Sequence, residues 1–100
     1  MVEKKFSKAK SFNKTNISKI PENKPIVYLF KAENNKKLYV GMAKRNRAQE
    51  RLLEHLMKKG EKIPGTKKFQ ILQFDNMEKA KKTEKRLIKK LSPRYNEAGN

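Results

Sequence analysis

The stretch that decides the fold is residues 26–41, which reads IVYLFKAENNKKLYVG. Its first five residues are β-branched, aliphatic or aromatic, which is typical of a strand buried on both faces. Residues 33–36, Glu-Asn-Asn-Lys, supply turn chemistry, and residues 37–41 return as a second strand. The stretch therefore predicts a β-hairpin.

The length of the turn decides which side chains this hairpin brings together. A two- or four-residue loop centred on residues 34–35 pairs Tyr28 with Gly41. It also pairs Tyr39 with Phe30, so both tyrosines lie on one face as diagonal neighbours. Gly41 then leaves space opposite Tyr28. A loop of three or five residues would put the tyrosines on opposite faces, and strand tyrosines can also be packing residues.

Beyond the hairpin, the pattern predicts two helices and one more strand. Residues 47–59 carry an apolar stripe at helical spacing, and Gly60 follows as a C′ residue. Residues 69–74 form a third strand, after which Asp75 opens a capping box and a second helix that ends at Ser-Pro in residues 92–93. The order ββαβα predicts a small α/β domain, with a three-stranded, mostly antiparallel sheet flanked by helices.

The first 24 residues differ in composition from the rest of the chain. Residues 1–24 are rich in Lys, Ser and Asn, which predicts a basic arm before a domain at residues 25–100. Phe6, Ala9 and Phe12 lie at helix-like spacing. The arm is therefore either a short amphipathic helix laid on the domain or a disordered basic tail.

Composition restricts the class of protein. The 100 residues include Lys+Arg 27 against Asp+Glu 10, a formal net charge of +17, which favours a polyanionic partner. With Cys 0 and His 1, a disulfide framework, a thiol nucleophile and a cysteine or histidine metal cluster are excluded. Any metal must be held by oxygen, which favours a hard cation such as Mg²⁺.

No apolar run is long enough to cross a membrane, and the polar N-terminus has no export signal. We therefore expect an intracellular protein, in the cytoplasm, nucleoid or nucleus, with no membrane partner.

Three charged or polar residues stand on the apolar stripes of the two helices. Glu84 follows Ala80 and precedes Leu87 by one turn, so it lies on the face that packs against the sheet. A carboxylate there is costly unless a cation meets it, so Glu84 is either a metal ligand or an edge residue paired with a lysine. Arg51 and His55 lie one turn apart at the edge of the other stripe. They can face a site, or be a snorkelling arginine and a structural histidine.

Together these residues resemble the GIY-YIG endonuclease family. IVYLF at residues 26–30 and YVG at residues 39–41 are similar to its two name-giving strands. RLLEH at residues 51–55 is similar to its helix arginine with a following L-x-E-H. EKRLIKKLSPRYN at residues 84–96 resembles the E-x-x-L-I-K-K-x-x-P-R-[FY]-N segment of the excision-repair branch. The likeness covers residues 20–96.

The chain departs from the family pattern at two places. Ile26 replaces the first glycine of the name motif, at a position that supplies no chemistry. Arg51 also follows the second strand by two residues more than is usual, so Arg45 and Arg47 are alternative candidates for the functional arginine. Arg51 is preferred because L-x-E-H follows it.

The resemblance implies a DNA endonuclease that hydrolyses phosphodiester bonds with Mg²⁺ or Mn²⁺ held by Glu84. Tyr28 would act as general base once positive charge or the metal lowers its pKa. Tyr39 would orient water or phosphate, and Arg51 would neutralise charge in the transition state. Asn96 would hold Tyr28 or the scissile phosphate.

The resemblance also implies DNA as the partner, with DNA repair among the possible processes. His55 and Lys44 would support the site, and the basic residues expected to contact DNA are Lys44, Arg45, Arg47, Lys67 and Lys68. Targeting would come from a partner protein or a homodimer. The alternative is a non-catalytic basic nucleic-acid-binding module on the same scaffold.

Overall fold

The computed structural model describes residues 6–58 and 60–96. Within them, a four-stranded antiparallel sheet lies between helices, which confirms the predicted α/β class. In chain order the elements are β1 (Lys10–Ser11), α1 (Lys14–Ile17), β2 (Ile26–Lys31), β3 (Lys37–Ala43), α2 (Ala48–Met57), β4 (Lys68–Gln73) and α3 (Met77–Leu91). The strand order is β1-β4-β2-β3. No helix of this part of the chain has the length and apolar character to cross a membrane.

The predicted register of the hairpin is confirmed. Tyr28 lies opposite Gly41, and Phe30 lies opposite Tyr39. β2 also pairs with β4 on its other side, so it is an interior strand with neighbours on both edges. This position explains its unbroken apolar sequence, because both of its faces are covered.

The two faces of the sheet support two separate apolar clusters. The first packs against α1 and α2 and includes Ile17, Ile26, Tyr28, Phe30, Ala48, Leu52 and Phe69. The second packs against α3 and comprises Val27, Leu29, Val40, Leu72, Phe74, Ala80 and Leu87. Alternate residues of β2 thus face opposite helices, as strand geometry requires. Tyr28 faces α2.

The arm differs from both structures predicted for it. Residues 6–12 contain no helix, and Lys10–Ser11 form β1, a fourth strand on the outer edge of β4. Phe12 packs against Phe30 with ring centroids 4.8 Å apart. The extended backbone is favoured here because it satisfies the unpaired groups at the edge of β4 and packs a partly buried Phe12 against the core.

The helix of the arm begins one residue after Asn13. Its four residues, Lys14–Ile17, are capped by the Asn13 side chain, which accepts a hydrogen bond from the Asn16 backbone N–H at 2.8 Å. The remaining part of the predicted arm, residues 1–5, lies outside the described residues.

The two long helices follow the predicted segments with corrected ends. α2 ends at Met57, ahead of the predicted residue 59, which itself lies outside the described residues. α3 is capped by Asn76 and not by Asp75: the Asn76 side chain accepts from the Lys79 N–H at 2.9 Å. The cap shifts by one residue because Asn76 is the last extended residue before the helix.

Candidate active site

The candidate site is built around Tyr28 at the middle of β2. This side chain is only 1% exposed, and its ring centroid lies 6.3 Å from that of Tyr39 and 5.6 Å from that of His55. Its hydroxyl lies 2.9 Å from His55 Nε2. The hairpin register and α2 therefore bring together three side chains that are distant in sequence.

Gly41 makes the position of Tyr28 possible. A Cβ atom at residue 41 would lie 2.5 Å from both Cζ and the hydroxyl oxygen of Tyr28, far inside van der Waals contact. The sequence suggested open space opposite Tyr28. The structure corrects this, because the ring of Tyr28 itself lies across the glycine.

The hydrogen bonds of His55 define its tautomer. Nδ1 lies 2.7 Å from the backbone carbonyl oxygen of Glu61, which can only accept, so Nδ1 carries the proton. Burial lowers the pKa of His55 and favours the neutral ring. Nε2 then has a free lone pair, and the Tyr28 hydroxyl donates its hydrogen to it. His55 is thus satisfied structurally and also contacts the central tyrosine.

Arg51 lies one turn before His55, beside the Tyr28 hydroxyl, whose pKa its charge lowers. Its Nη1 lies 2.8 Å from a carboxylate oxygen of Glu54 and 3.4 Å from one of Glu61. The alternative candidate Arg47 is exposed and pairs with Glu50 at 3.0 Å. These positions favour Arg51 as the functional arginine.

Glu61 is a site residue that the sequence analysis missed. Its carboxylate contacts Arg51, and its backbone carbonyl accepts from His55. The signal for it was Gly60, whose φ of +94° sets the turn that directs residue 61 back onto the helix.

Glu84 reaches the site from α3. It is partly buried, and burial raises its pKa. Burial is the main cause of the raised pKa of Tyr28 and of Tyr39, and the negative charge of Glu84 adds to both increases. It makes no hydrogen bond or ion pair with any residue that the structure describes. The lysine ion pair considered from the sequence is therefore absent among those residues.

The surroundings of Tyr28 do not lower its pKa, contrary to expectation. Burial is the largest effect and raises the pKa, Tyr39 adds to the increase, and the opposing influence of Arg51 is smaller. The pKa of Tyr39 is also raised, chiefly by burial. Both phenols are therefore neutral at neutral pH, and Tyr28 needs a proton acceptor.

Asn96 has a different partner from the expected Tyr28. Its amide oxygen accepts from the Val40 N–H at 2.7 Å, and its amide nitrogen donates to the Val40 carbonyl at 3.0 Å. The Tyr95 N–H bonds to the Leu38 carbonyl at 2.8 Å, so residues 95–96 cover the outer edge of β3. The contact of Asn96 with phosphate remains a prediction.

The basic residues expected to contact DNA lie outside this buried centre. Lys44 and Arg45 are exposed just after β3, and Lys67 and Lys68 lie at the start of β4. Their contacts with DNA remain predictions. Among residues 6–58 and 60–96, no group of three His, Asp or Glu side chains could enclose a metal ion. Any cation at Glu84 would therefore take most of its ligands from water or substrate.

Comparison with known proteins gives a consistent result. A sequence profile described as the GIY-YIG catalytic domain matches residues 24–96. The chain is similar to the crystal structure of the GIY-YIG N-terminal endonuclease domain of UvrC from Thermotoga maritima bound to its catalytic divalent cation, magnesium. The match has 32% identity and a TM-score of 0.70, and covers 82% of this chain and 92% of that chain.

A second solved structure, an asparagine-to-alanine variant of the same domain with its catalytic divalent cation, matches at 32% identity and a TM-score of 0.69. That match covers 81% of this chain and 90% of that chain. A search of curated protein sequences finds no significant match.

Proposed function

The chain belongs to the GIY-YIG family of catalytic domains and is a metal-dependent endonuclease, and we propose that it hydrolyses DNA phosphodiester bonds at the site around Tyr28. The observation that carries the proposal is the Tyr28–His55 hydrogen bond of 2.9 Å, in a site that also contains Glu84, which has no ion-pair partner in residues 6–58 and 60–96. A proton acceptor and a free carboxylate are the two groups that metal-assisted hydrolysis needs.

Glu84 fits the role of metal ligand. Its carboxylate is partly buried and has no ion-pair partner among the described residues, so a divalent cation would remove an electrostatic cost. One carboxylate with water and phosphate oxygens is a donor set suited to Mg²⁺, the ion in the similar UvrC domain. When bound, the cation polarises the phosphate and makes its bound water more acidic.

Tyr28 and His55 form a path for the proton of the attacking water. The Tyr28 oxygen accepts that proton as its own hydrogen passes to Nε2 of His55. Because Nδ1 donates to the Glu61 carbonyl, the positive charge of the resulting imidazolium is stabilised. This relay avoids a free tyrosinate, which the raised pKa of Tyr28 disfavours.

Arg51 provides positive charge for the phosphate. Contacts to Glu54 and Glu61 fix the guanidinium next to Tyr28, so little reorganisation is needed when negative charge develops on the substrate. Tyr39, partly exposed beside Tyr28, is placed to orient water or a phosphate oxygen.

The substrate is assigned to DNA from the charge of the protein. A formal net charge of +17 favours a polyanion, and phosphate contacts supply most of the affinity in such complexes. The alternative, a non-catalytic binding module, leaves the Tyr28–His55 pair and the partly buried Glu84 without a role.

Supercoiled-plasmid cleavage tests the proposal. Wild type is assayed with Mg²⁺, Mn²⁺ or EDTA beside Glu84→Gln and Tyr28→Phe, with Glu78→Gln as a control at an exposed glutamate of the same helix. We expect each site variant to lose roughly 10²-fold or more in nicking rate, because Tyr28→Phe removes a proton-transfer group and Glu84→Gln weakens metal binding. The control keeps wild-type activity, and DNA binding by Glu84→Gln is equal or stronger. Full Mg²⁺-dependent nicking by Glu84→Gln would refute the assignment.

A further inference from the structure

Three lysines lie side by side across one end of the sheet. After Phe30 the register between β2 and β3 shifts, so Lys31 pairs with Lys37. On its other side, Lys31 pairs with Lys68 of β4. Lys31, Lys37 and Lys68 therefore form a lysine row over three neighbouring strands, with Lys31 at its centre.

This arrangement is unfavourable for the folded protein on its own. Residues paired directly across strands lie about 5 Å apart at Cβ, where like charges repel. Burial and then the charges of Lys37 and Lys68 lower the pKa of Lys31, which shows that the ammonium groups interact. The row persists at a cost in stability.

No acidic side chain neutralises the lysine row among the described residues. The ion pairs among the described residues involve Lys24, Arg47 and Arg51 instead. Lys68 donates to the neutral Asn35 amide oxygen at 3.1 Å. A further basic residue adjoins the row, because the Arg94 N–H donates to the Lys37 carbonyl at 3.3 Å.

The row is separate from the catalytic centre. Lys31 lies three residues beyond Tyr28 along β2, about 10 Å at the usual strand rise. Resting on the proposed function, we propose that the lysine row binds a backbone phosphate of the DNA substrate, away from the bond that is cut. An oxyanion at this position replaces repulsion among three ammonium groups by attraction to each of them.

DNA binding in EDTA tests this site without cleavage. The triple variant Lys31→Gln, Lys37→Gln, Lys68→Gln is compared with a charge-matched control in which exposed Lys58, Lys79 and Lys81 become Gln. Fluorescence anisotropy with a short duplex is expected to show a roughly 10-fold or greater loss for the row variant. Its log–log salt slope is also expected to fall by about one, because each neutralised phosphate contributes about that much to the slope. An equal loss in the control would overturn the site, since only net charge would then matter.

Two further measurements separate the alternatives. Thermal melts should show the row variant at least as stable as wild type, so reduced binding cannot be attributed to unfolding. Inorganic phosphate should raise the melting temperature of wild type more than that of the row variant. Phosphate protection with unchanged DNA affinity would assign the row to free phosphate and refute the DNA site. Plasmid nicking by wild type tests the nuclease function separately, because the binding result does not depend on catalysis.

Discussion

At the scale of single residues, the chemistry depends on which way one hydrogen bond points. The Glu61 carbonyl fixes the proton of His55 on Nδ1, so Nε2 must accept from Tyr28. Protonation of Nε2 would remove this acceptor and place a charge in a buried site. The state of His55 therefore links the pH dependence of stability to that of catalysis.

His55 predicts a loss of stability in acid. Its folded-state pKa lies below the ordinary value of 6.5, with burial as the largest cause. Below pH 6.5 the unfolded chain therefore binds more protons than the folded one, and the unfolding free energy falls as pH decreases toward the folded-state pKa. Arg51, Glu54 and Glu61 also face this ring. Thermal melts above and below pH 6.5 should show a weaker pH dependence in His55→Gln. The same dependence in both proteins would contradict this origin.

Gly41→Ala is predicted to disable the site by displacing Tyr28. The new Cβ would lie 2.5 Å from the tyrosine ring, so we expect a loss of about 1–3 kcal/mol, the usual cost of overpacking, together with loss of cleavage. Denaturant titration gives the stability change. In a Tyr28→Ala background the cost of Gly41→Ala should shrink, because the ring that clashes is absent. An equal cost in both backgrounds would show that residue 41 acts through the backbone alone.

At the scale of elements, helices and strands present most side chains of the candidate site. α2 supplies Arg51 and His55 one turn apart, and its contacts with the sheet determine their depth. α3 packs against the sheet through Ala80 and Leu87, and Glu84 lies between these two residues in the helix. The position of the proposed metal ligand therefore depends on where α3 begins.

The N-cap of α3 provides a test with a neighbouring control. Asn76→Ala removes the acceptor for the Lys79 N–H and should cost about 1 kcal/mol of unfolding free energy. Asp75→Ala should cost less, because the ion pair of Asp75 with Lys24 at 3.4 Å is exposed. Chemical denaturation measures both. A larger loss of unfolding free energy in Asp75→Ala than in Asn76→Ala would show that Asp75 is the cap, as the sequence suggested.

At the scale of the whole molecule, charge has opposite effects on stability and binding. With a formal net charge of +17, the positive side chains repel one another in the compact state, and the same charge attracts DNA. Acidic residues concentrate around α2, at Glu22, Glu50, Glu54 and Glu61, which leaves the other surfaces more strongly basic.

Raising salt from about 50 to about 200 mM is therefore predicted to stabilise the fold and weaken DNA binding together. Screening relieves the repulsion within the protein, while counterion release makes the complex less favourable at high salt. Melting curves and anisotropy titrations at matched salt concentrations measure the two effects. A melting temperature that falls with salt would contradict net repulsion as a factor in stability.

Local sequence pattern alone predicted much of the fold and of the site. The hairpin register follows from a symmetric turn at residues 34–35, and the order ββαβα follows from periodicity. The family follows from the resemblance of the motifs, and the candidates Tyr28, Arg51 and Glu84 follow from spacing together with that resemblance. These features depend on near neighbours in the chain, so the sequence contains them directly.

The tertiary structure decided the features that depend on distant partners. The edge of β4 converted the arm into a strand, and the Val40 backbone engaged Asn96. The turn after α2 places the Glu61 carbonyl against His55. The burial of Tyr28 in the folded protein raises its pKa. Each outcome reflects hydrogen bonding or desolvation among groups far apart in sequence, which become neighbours only when the chain folds.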